Sequence, residues 1–155
     1  MPIIQVESLV RASIERCFDL ALDVDLHQRS MAHTAERAVA GRTSGMLELG
    51  DTVTWEAVHL GGRQRLTVRI TRLERPHVFV DQMVRGAFRS FVHLHTFTAV
   101  EGGTLIGDHF DYRSPLGLLG SLADRLFLKR YMRRMLRGRQ AALKQAAESD
   151  PFPTV

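Results

Sequence analysis

From Asp51 to Tyr112 the chain alternates apolar and polar positions, the period of strands that turn one face to a core. Glycine pairs and a proline divide this stretch into the runs of an antiparallel meander. Gly61-Gly62 is a two-residue turn signal; Leu60 opposite Arg63 then sets Ala57 across from Leu66, Trp55 from Val68 and Val53 from Ile70. Pro76 marks the next connection, and Leu73 opposite Val78 brings Ile70 against Asp81 and Val68 against Met83. A turn at Gly86-Ala87 sets Met83 against Phe91, Asp81 against His93 and Phe79 against His95. Gly102-Gly103 then pairs Phe97 with Asp108, His95 with Phe110 and His93 with Tyr112. All four turns agree on one shared face, and a one-residue slip would turn a strand's whole set over.

That face carries Trp55, His59, Val68, Asp81, Met83, His93, His95, Phe97, Asp108, Phe110 and Tyr112. Ionisable groups among large apolar ones suit the wall of a pocket better than a plain core. The other face, with Thr54, Glu56, Arg65, Thr67, Arg69, Thr71, Gln82, Thr96, Thr98, His109 and Asp111, reads as solvated.

Before the meander, Ile3 to Val10 reads as a strand. Ser13 then caps a helix whose apolar residues Ile14, Cys17, Phe18, Ala21 and Leu22 recur at helical spacing. A second short helix covers Asp25 to Ser30, and a weak strand covers Thr34 to Ala40, followed by a loop through Gly41, Gly45 and Gly50. After the meander, Gly117 to Glu148 reads as a long helix. Its later stripe is Leu128, Tyr131, Met132, Met135, Leu136, Ala142 and Leu143, opposite Arg130, Arg133, Arg134, Arg137 and Lys144. Its first part, Leu119, Leu122, Ala123, Leu126 and Phe127, points about half a turn away. The helix therefore either bends near Leu128 or begins against something other than the sheet.

With 155 residues, 45% of them hydrophobic and 25% charged, the chain reads as one globular domain over 1–149 with a short tail over 150–155. Cys17 is the only cysteine, which excludes an internal disulfide and suits a buried, inert thiol. The opening residues show no secretory pattern, and no run reaches the length of a membrane span, so a cytoplasmic protein is expected. The net charge of +4 is local: Arg125 to Ala147 holds eight basic residues and no acidic one.

The order strand, two helices, meander, long helix needs the last helix to cover the sheet's apolar face. The segments SIERCFDLALDVD, GDTVTWEA, RITRLERPHVFVDQ, FVHLHTF and GGTLIGDHFDYRSPLGLLG carry a resemblance from Ile4 to about Ala147. They resemble the START-like helix-grip superfamily, which holds the polyketide cyclase/dehydrase and birch-pollen-allergen proteins. The resemblance implies an α+β helix-grip fold, a curved antiparallel sheet wrapped around a long C-terminal helix. It also implies a cavity for a lipid, isoprenoid, polyketide or similar molecule. The superfamily has no universal catalytic residues, so it carries none over to this chain.

The expected function is binding of a small hydrophobic molecule, contacted by the eleven residues of the inward face. Trp55 and Tyr112, large rings with a polar tip, are favoured contacts. The alternative is a cyclase or dehydratase that uses an Asp–His pair as general acid and base, with Asp81, His93, His95 and Asp108 as candidates. Asp81 and His93 are direct neighbours in this register, and His95 is diagonal to Asp108. Imidazoles and carboxylates together are also metal donors, but no motif supports a metal site, and neither metal nor cofactor is expected. Residues 118–137, with Leu118, Leu119 and Leu122 beside cations, suit transient contact with an anionic membrane. Nucleic acid is not expected, since no stacking aromatics accompany the charges. Oligomeric state is left open.

Overall fold

The computed structural model describes residues 3–59, 61–114, 122 and 127–149. Strand β1 (Ile3–Val10) leads to helices α1 (Ile14–Ala21) and α2 (Val24–Ser30), a 3-10 turn (Ala32–Thr34) and β2 (Arg37–Gly41). Then come β3 (Thr52–His59), β4 (Gly62–Glu74), β5 (Val78–Arg85), β6 (Ser90–Val100), β7 (Gly103–Arg113) and α3 (Lys129–Ser149). Ser13 Oγ caps α1 by accepting from Arg16 N, and Asp23 caps α2 by accepting from Asp25 N and Leu26 N.

The strands form one antiparallel sheet in the order β1-β7-β6-β5-β4-β3-β2, so β1 closes the meander by pairing with its last strand. The curved sheet grips α3, the helix-grip arrangement. Side chains of α3 meet two cores on the inner face. Leu136 joins Ile4, Val6, Trp55, Val68, Phe110 and Tyr112 in one; Ala147 joins Val10, Phe18, Ile70, Phe79 and Phe97 in the other. Polar anchors fix its position along β1. Gln140 Nε2 donates to Val6 O (3.0 Å), Lys144 Nζ donates to Leu9 O (2.9 Å), and Arg16 donates to the carbonyls of Ala146 and Ala147 near the end of α3.

The inward face is as the alternation predicts, but two hairpins differ in register. His59 pairs with Gly62, which sets Trp55 opposite Leu66 and Val53 opposite Val68. Val100 pairs with Gly103, which sets Phe97 opposite Ile106, His95 opposite Asp108, His93 opposite Phe110 and Phe91 opposite Tyr112. The cause is the same in both. The second glycine of each pair is the first residue of a strand rather than part of the loop, and moving a turn by one residue shifts the pairing by two. A two-residue shift leaves every side chain on its face. Between β4 and β5, Val68 pairs with Met83 and Ile70 with Asp81, but an irregularity between Ile70 and Arg72 moves Leu73 opposite Phe79 instead of Val78. Asp81–His93 and Phe79–His95 pair as read.

Two further expectations change. Thr34 belongs to the 3-10 turn, and the strand begins only at Arg37. Glu56 is not solvated; its side chain is 7% exposed beneath Arg37, Arg63 and Arg65. The described α3 spans Lys129–Ser149. Leu118, Leu119, most of the helix start and the expected tail lie outside the described residues. No described helix is long and apolar enough to cross a membrane.

Candidate functional site

Between the sheet and α3 lies a cavity of about 260 Å³. Trp55, Ala57, Val68, Phe91 and Phe110 form its sheet wall, and Leu128, Tyr131, Met132, Met135 and Leu136 cover it from the helix side. His27, Glu36, His59, Asp81, His93 and Arg139 add the polar part of the lining. Phe88 also lines it, edge-on to Phe91 and Phe110 at 6.0 Å between centroids.

Two strand pairings, Asp81–His93 and His95–Asp108, stand side by side and form one cluster. Asp108 Oδ1 lies 2.7 Å from His93 Nε2 and 3.1 Å from His95 Nδ1. Its Oδ2 accepts from Gln140 Nε2 at 2.5 Å, while Gln140 Oε1 accepts from Ser8 Oγ at 2.6 Å. Gln140 is thus fully engaged, and Asp108 receives donors on both oxygens. Each histidine therefore presents an N–H to Asp108, leaving His93 Nδ1 and His95 Nε2 to face Asp81. Those nitrogens lie 3.5 and 3.4 Å from Asp81 Oδ1. The donor atoms of Asp81, His93 and His95 all lie within 4.8 Å of one another.

Burial sets the protonation of this cluster against its charges. Burial would raise Asp81, but the charges of His93 and His95 and the contact with His95 bring it down to about 2. Asp108 likewise overcomes burial through its bonds to both histidines and lies well below the usual carboxylate range. Burial and repulsion from His95 push His93 down, against the pull of the two carboxylates. On His95 burial is outweighed by Asp108 and Asp81, and its pKa is raised.

A second polar chain enters from the opposite wall. Arg139 Nη2 lies 2.7 Å from His27 Nδ1, and His27 Nε2 lies 2.6 Å from Glu36 Oε1. Guanidinium only donates, so Nδ1 is the acceptor and Nε2–H donates to Glu36. Burial, reinforced by Arg139, holds His27 below its ordinary range despite Glu36. Its ring stacks on Trp55 at 4.0 Å, which exposes one polar and one aromatic surface to the same cavity. At the helix side, His59 Nδ1 bonds Tyr131 Oη at 2.7 Å.

Of the eleven residues the alternation nominates, Trp55, His59, Val68, Asp81, His93 and Phe110 line the cavity. His95 and Asp108 lie behind it, beside a smaller crevice under Gln140. Tyr112 is fully buried in the first core, Met83 packs against that core, and Phe97 belongs to the second with Phe18 and Phe79. The reading of the strands does not find His27, Glu36, Arg139 or Gln140. For the last two a signal existed: Leu136, Arg139, Gln140, Leu143 and Ala147 follow helical spacing, but a stripe traced through apolar residues alone passes over the polar members.

A family model described as "Polyketide cyclase / dehydrase and lipid transport" matches residues 1–148. Among curated proteins none matches the chain. Solved structures share the fold. TTHA0849 from Thermus thermophilus is 18% identical, with a TM-score of 0.78 over 96% of this chain and 98% of that one. Major latex-like protein 151 of Panax ginseng is 12% identical, with a TM-score of 0.70 over 94% and 97%. The di-domain ARO/CYC StfQ from the steffimycin biosynthetic pathway is 15% identical, with a TM-score of 0.73 over 95% of this chain and 50% of that one.

Proposed function

This chain belongs to the polyketide cyclase/dehydrase and lipid transport family, and on that footing we propose that it binds one small, largely apolar molecule between sheet and α3. The observation that carries the reading is the lining: an apolar cavity into which ionisable groups project from two walls. The apolar body would lie against Trp55, Phe91, Phe110 and Leu136, burying surface that water hydrates poorly. A carbonyl, hydroxyl or carboxylate at one end would meet Arg139, His27 or His93. The volume, just below the roughly 300–1,000 Å³ range of small-molecule pockets, favours a compact ligand over a diacyl lipid.

The test is native mass spectrometry of the full chain as purified, followed by organic-solvent extraction of what it carries. The expected result is one small molecule per chain, lost in Met132→Trp, whose side chain would fill the cavity from α3. A wild-type protein that neither carries nor takes up any apolar compound from an extract or a fluorescent-probe set would overturn the reading.

Acid–base chemistry is the second reading, favoured by Asp81 and His93 lining the same cavity. It expects the compound that co-purifies with Asp81→Asn to be cyclised or dehydrated when given to wild-type protein, and to stay unchanged on Asp81→Asn. Unchanged compound with both proteins would leave simple binding.

Exposed Leu122 and Phe127 beside Lys129 and Arg130 support loading from an anionic membrane surface. Co-sedimentation with phosphatidylserine vesicles but not phosphatidylcholine vesicles, lost in Leu122→Asp/Phe127→Asp, is the expected result; equal behaviour with both lipids would exclude it.

A further inference from the structure

We propose that Asp81, His93 and His95 form a three-ligand site for one Zn²⁺ ion, with its fourth position toward the cavity. The strand alternation puts metal-donor residue types on one face without a metal motif; the positions of individual ring nitrogens supply the argument. The site is independent of the ligand-binding reading, since zinc with an empty cavity and a filled cavity without zinc are separate results.

Spacing is the first argument. Asp81 Oδ1 lies 3.5 Å from His93 Nδ1 and 3.4 Å from His95 Nε2. These separations are long for hydrogen bonds. A tetrahedral Zn²⁺ bound to nitrogen and oxygen at about 2.0–2.1 Å sets its ligand atoms about 3.3–3.4 Å apart. Both separations from Asp81 are thus near what a shared ion requires, and all three ligand atoms lie within 4.8 Å of one another.

The second argument is unmet demand. Asp81 Oδ1 and His95 Nε2 face each other 3.4 Å apart, both buried and neither in a hydrogen bond. His95 is only 7% exposed, so bulk water does not serve that nitrogen.

Orientation is the third. A metal-bound histidine usually donates its far N–H to a carboxylate, which turns the near nitrogen's lone pair to the ion. Asp108 does this for both rings at once, through Nε2 of His93 and Nδ1 of His95, and Gln140 holds Asp108 in turn. The two histidines use opposite nitrogens for this, so the near ones converge on Asp81 rather than diverging.

Charge agrees. With both rings deprotonated for ligation, the cluster carries two buried carboxylates, Asp81 and Asp108. Arg139, the nearest cation on the other wall, is offset by Glu36 through His27. A divalent cation would neutralise what remains. Two imidazoles with one carboxylate suit zinc, whereas calcium and magnesium prefer all-oxygen sets. Asp81 and His93 line the cavity, so water or the polar end of a bound molecule could complete the coordination.

The experiment strips the full chain with a chelator, dialyses it against micromolar Zn²⁺ and counts metal per chain, with Co²⁺ as a spectroscopic probe. Expected are one Zn²⁺ per chain and the intense visible bands of four-coordinate Co²⁺. Asp81→Asn and His95→Gln should each weaken Zn²⁺ by more than about a hundredfold. Asp108→Asn, which repositions rather than removes a ligand, should cost roughly 10–100-fold. His109→Ala, on the outer face, should bind as wild type. Circular dichroism of each variant separates lost ligation from lost folding. Wild-type protein that takes up no stoichiometric Zn²⁺, or binding that survives His93→Gln/His95→Gln, would overturn the site.

Discussion

His95 and Asp108 stand directly opposite one another on β6 and β7, with Nδ1 3.1 Å from Oδ1. The direct pairing lets one Asp108 oxygen receive both His93 and His95, which ties two strand pairs into a single buried unit.

Removing that shared acceptor should be costly. Asp108→Asn puts an amide where two imidazoles and Gln140 donate, and the mismatch is buried. Urea unfolding should show a loss of about 3 kcal/mol, in the range for breaking a buried charged pair. A midpoint equal to wild type would mean that the cluster is not coupled as its distances indicate.

His27 predicts a pH slope. Its folded-state pKa is lowered by burial and by Arg139, so the unfolded chain takes up this proton first, near pH 6.5. Stability therefore falls as pH drops below about 6.5 and keeps falling until the folded ring titrates. His93, also lowered, adds to this slope, whereas His95, raised, loses its contribution only as pH rises above about 6.5. The His27 share is the difference between wild type and His27→Gln, and the wild-type curve should be the steeper between pH 7 and 5. Parallel curves would contradict a neutral, buried His27.

Phe18 is fully buried, edge-on to Phe79 and Phe97 with centroids 5.6 and 5.2 Å away. These contacts fasten α1 to the sheet away from the cavity. Phe18→Ala should cost about 3–5 kcal/mol in denaturant unfolding. Uptake of a cavity ligand by the folded fraction should be unchanged; a parallel loss of uptake would show that the two cores are not separate.

Gly103 has φ +152°, and a Cβ there would meet Val10 O at 2.0 Å. Backbone would have to move where β1 joins β7. Gly103→Ala should therefore lower stability by about 1–3 kcal/mol, read as a shift in thermal midpoint. At Gly61, φ is +80° but no atom lies within 4 Å of the added carbon, so Gly61→Asn, which tolerates positive φ, should be the milder change.

Alternation in the chain was enough to assign Trp55, Asp81, His93, His95 and Asp108 to one inward face, because side-chain direction depends only on parity along a strand. The glycine turns were legible as turns, and Ser13 as a cap, because each rests on local geometry. Even two wrong registers kept the face intact, since both were displaced by two residues. Which partner each residue meets was a different matter. It turned on whether Gly62 and Gly103 lie in the loop or open the strand, and for Gly103 the close approach of Val10, distant in sequence, shows the need for glycine. His27 and Glu36 reach the cavity only because α2 and the segment before β2 fold over the sheet's edge, and Arg139 and Gln140 only because α3 turns that side inward. Local periodicity determines what faces the core; the choice of which ring nitrogen meets which carboxylate arises only when strands far apart in the chain are packed together under one helix.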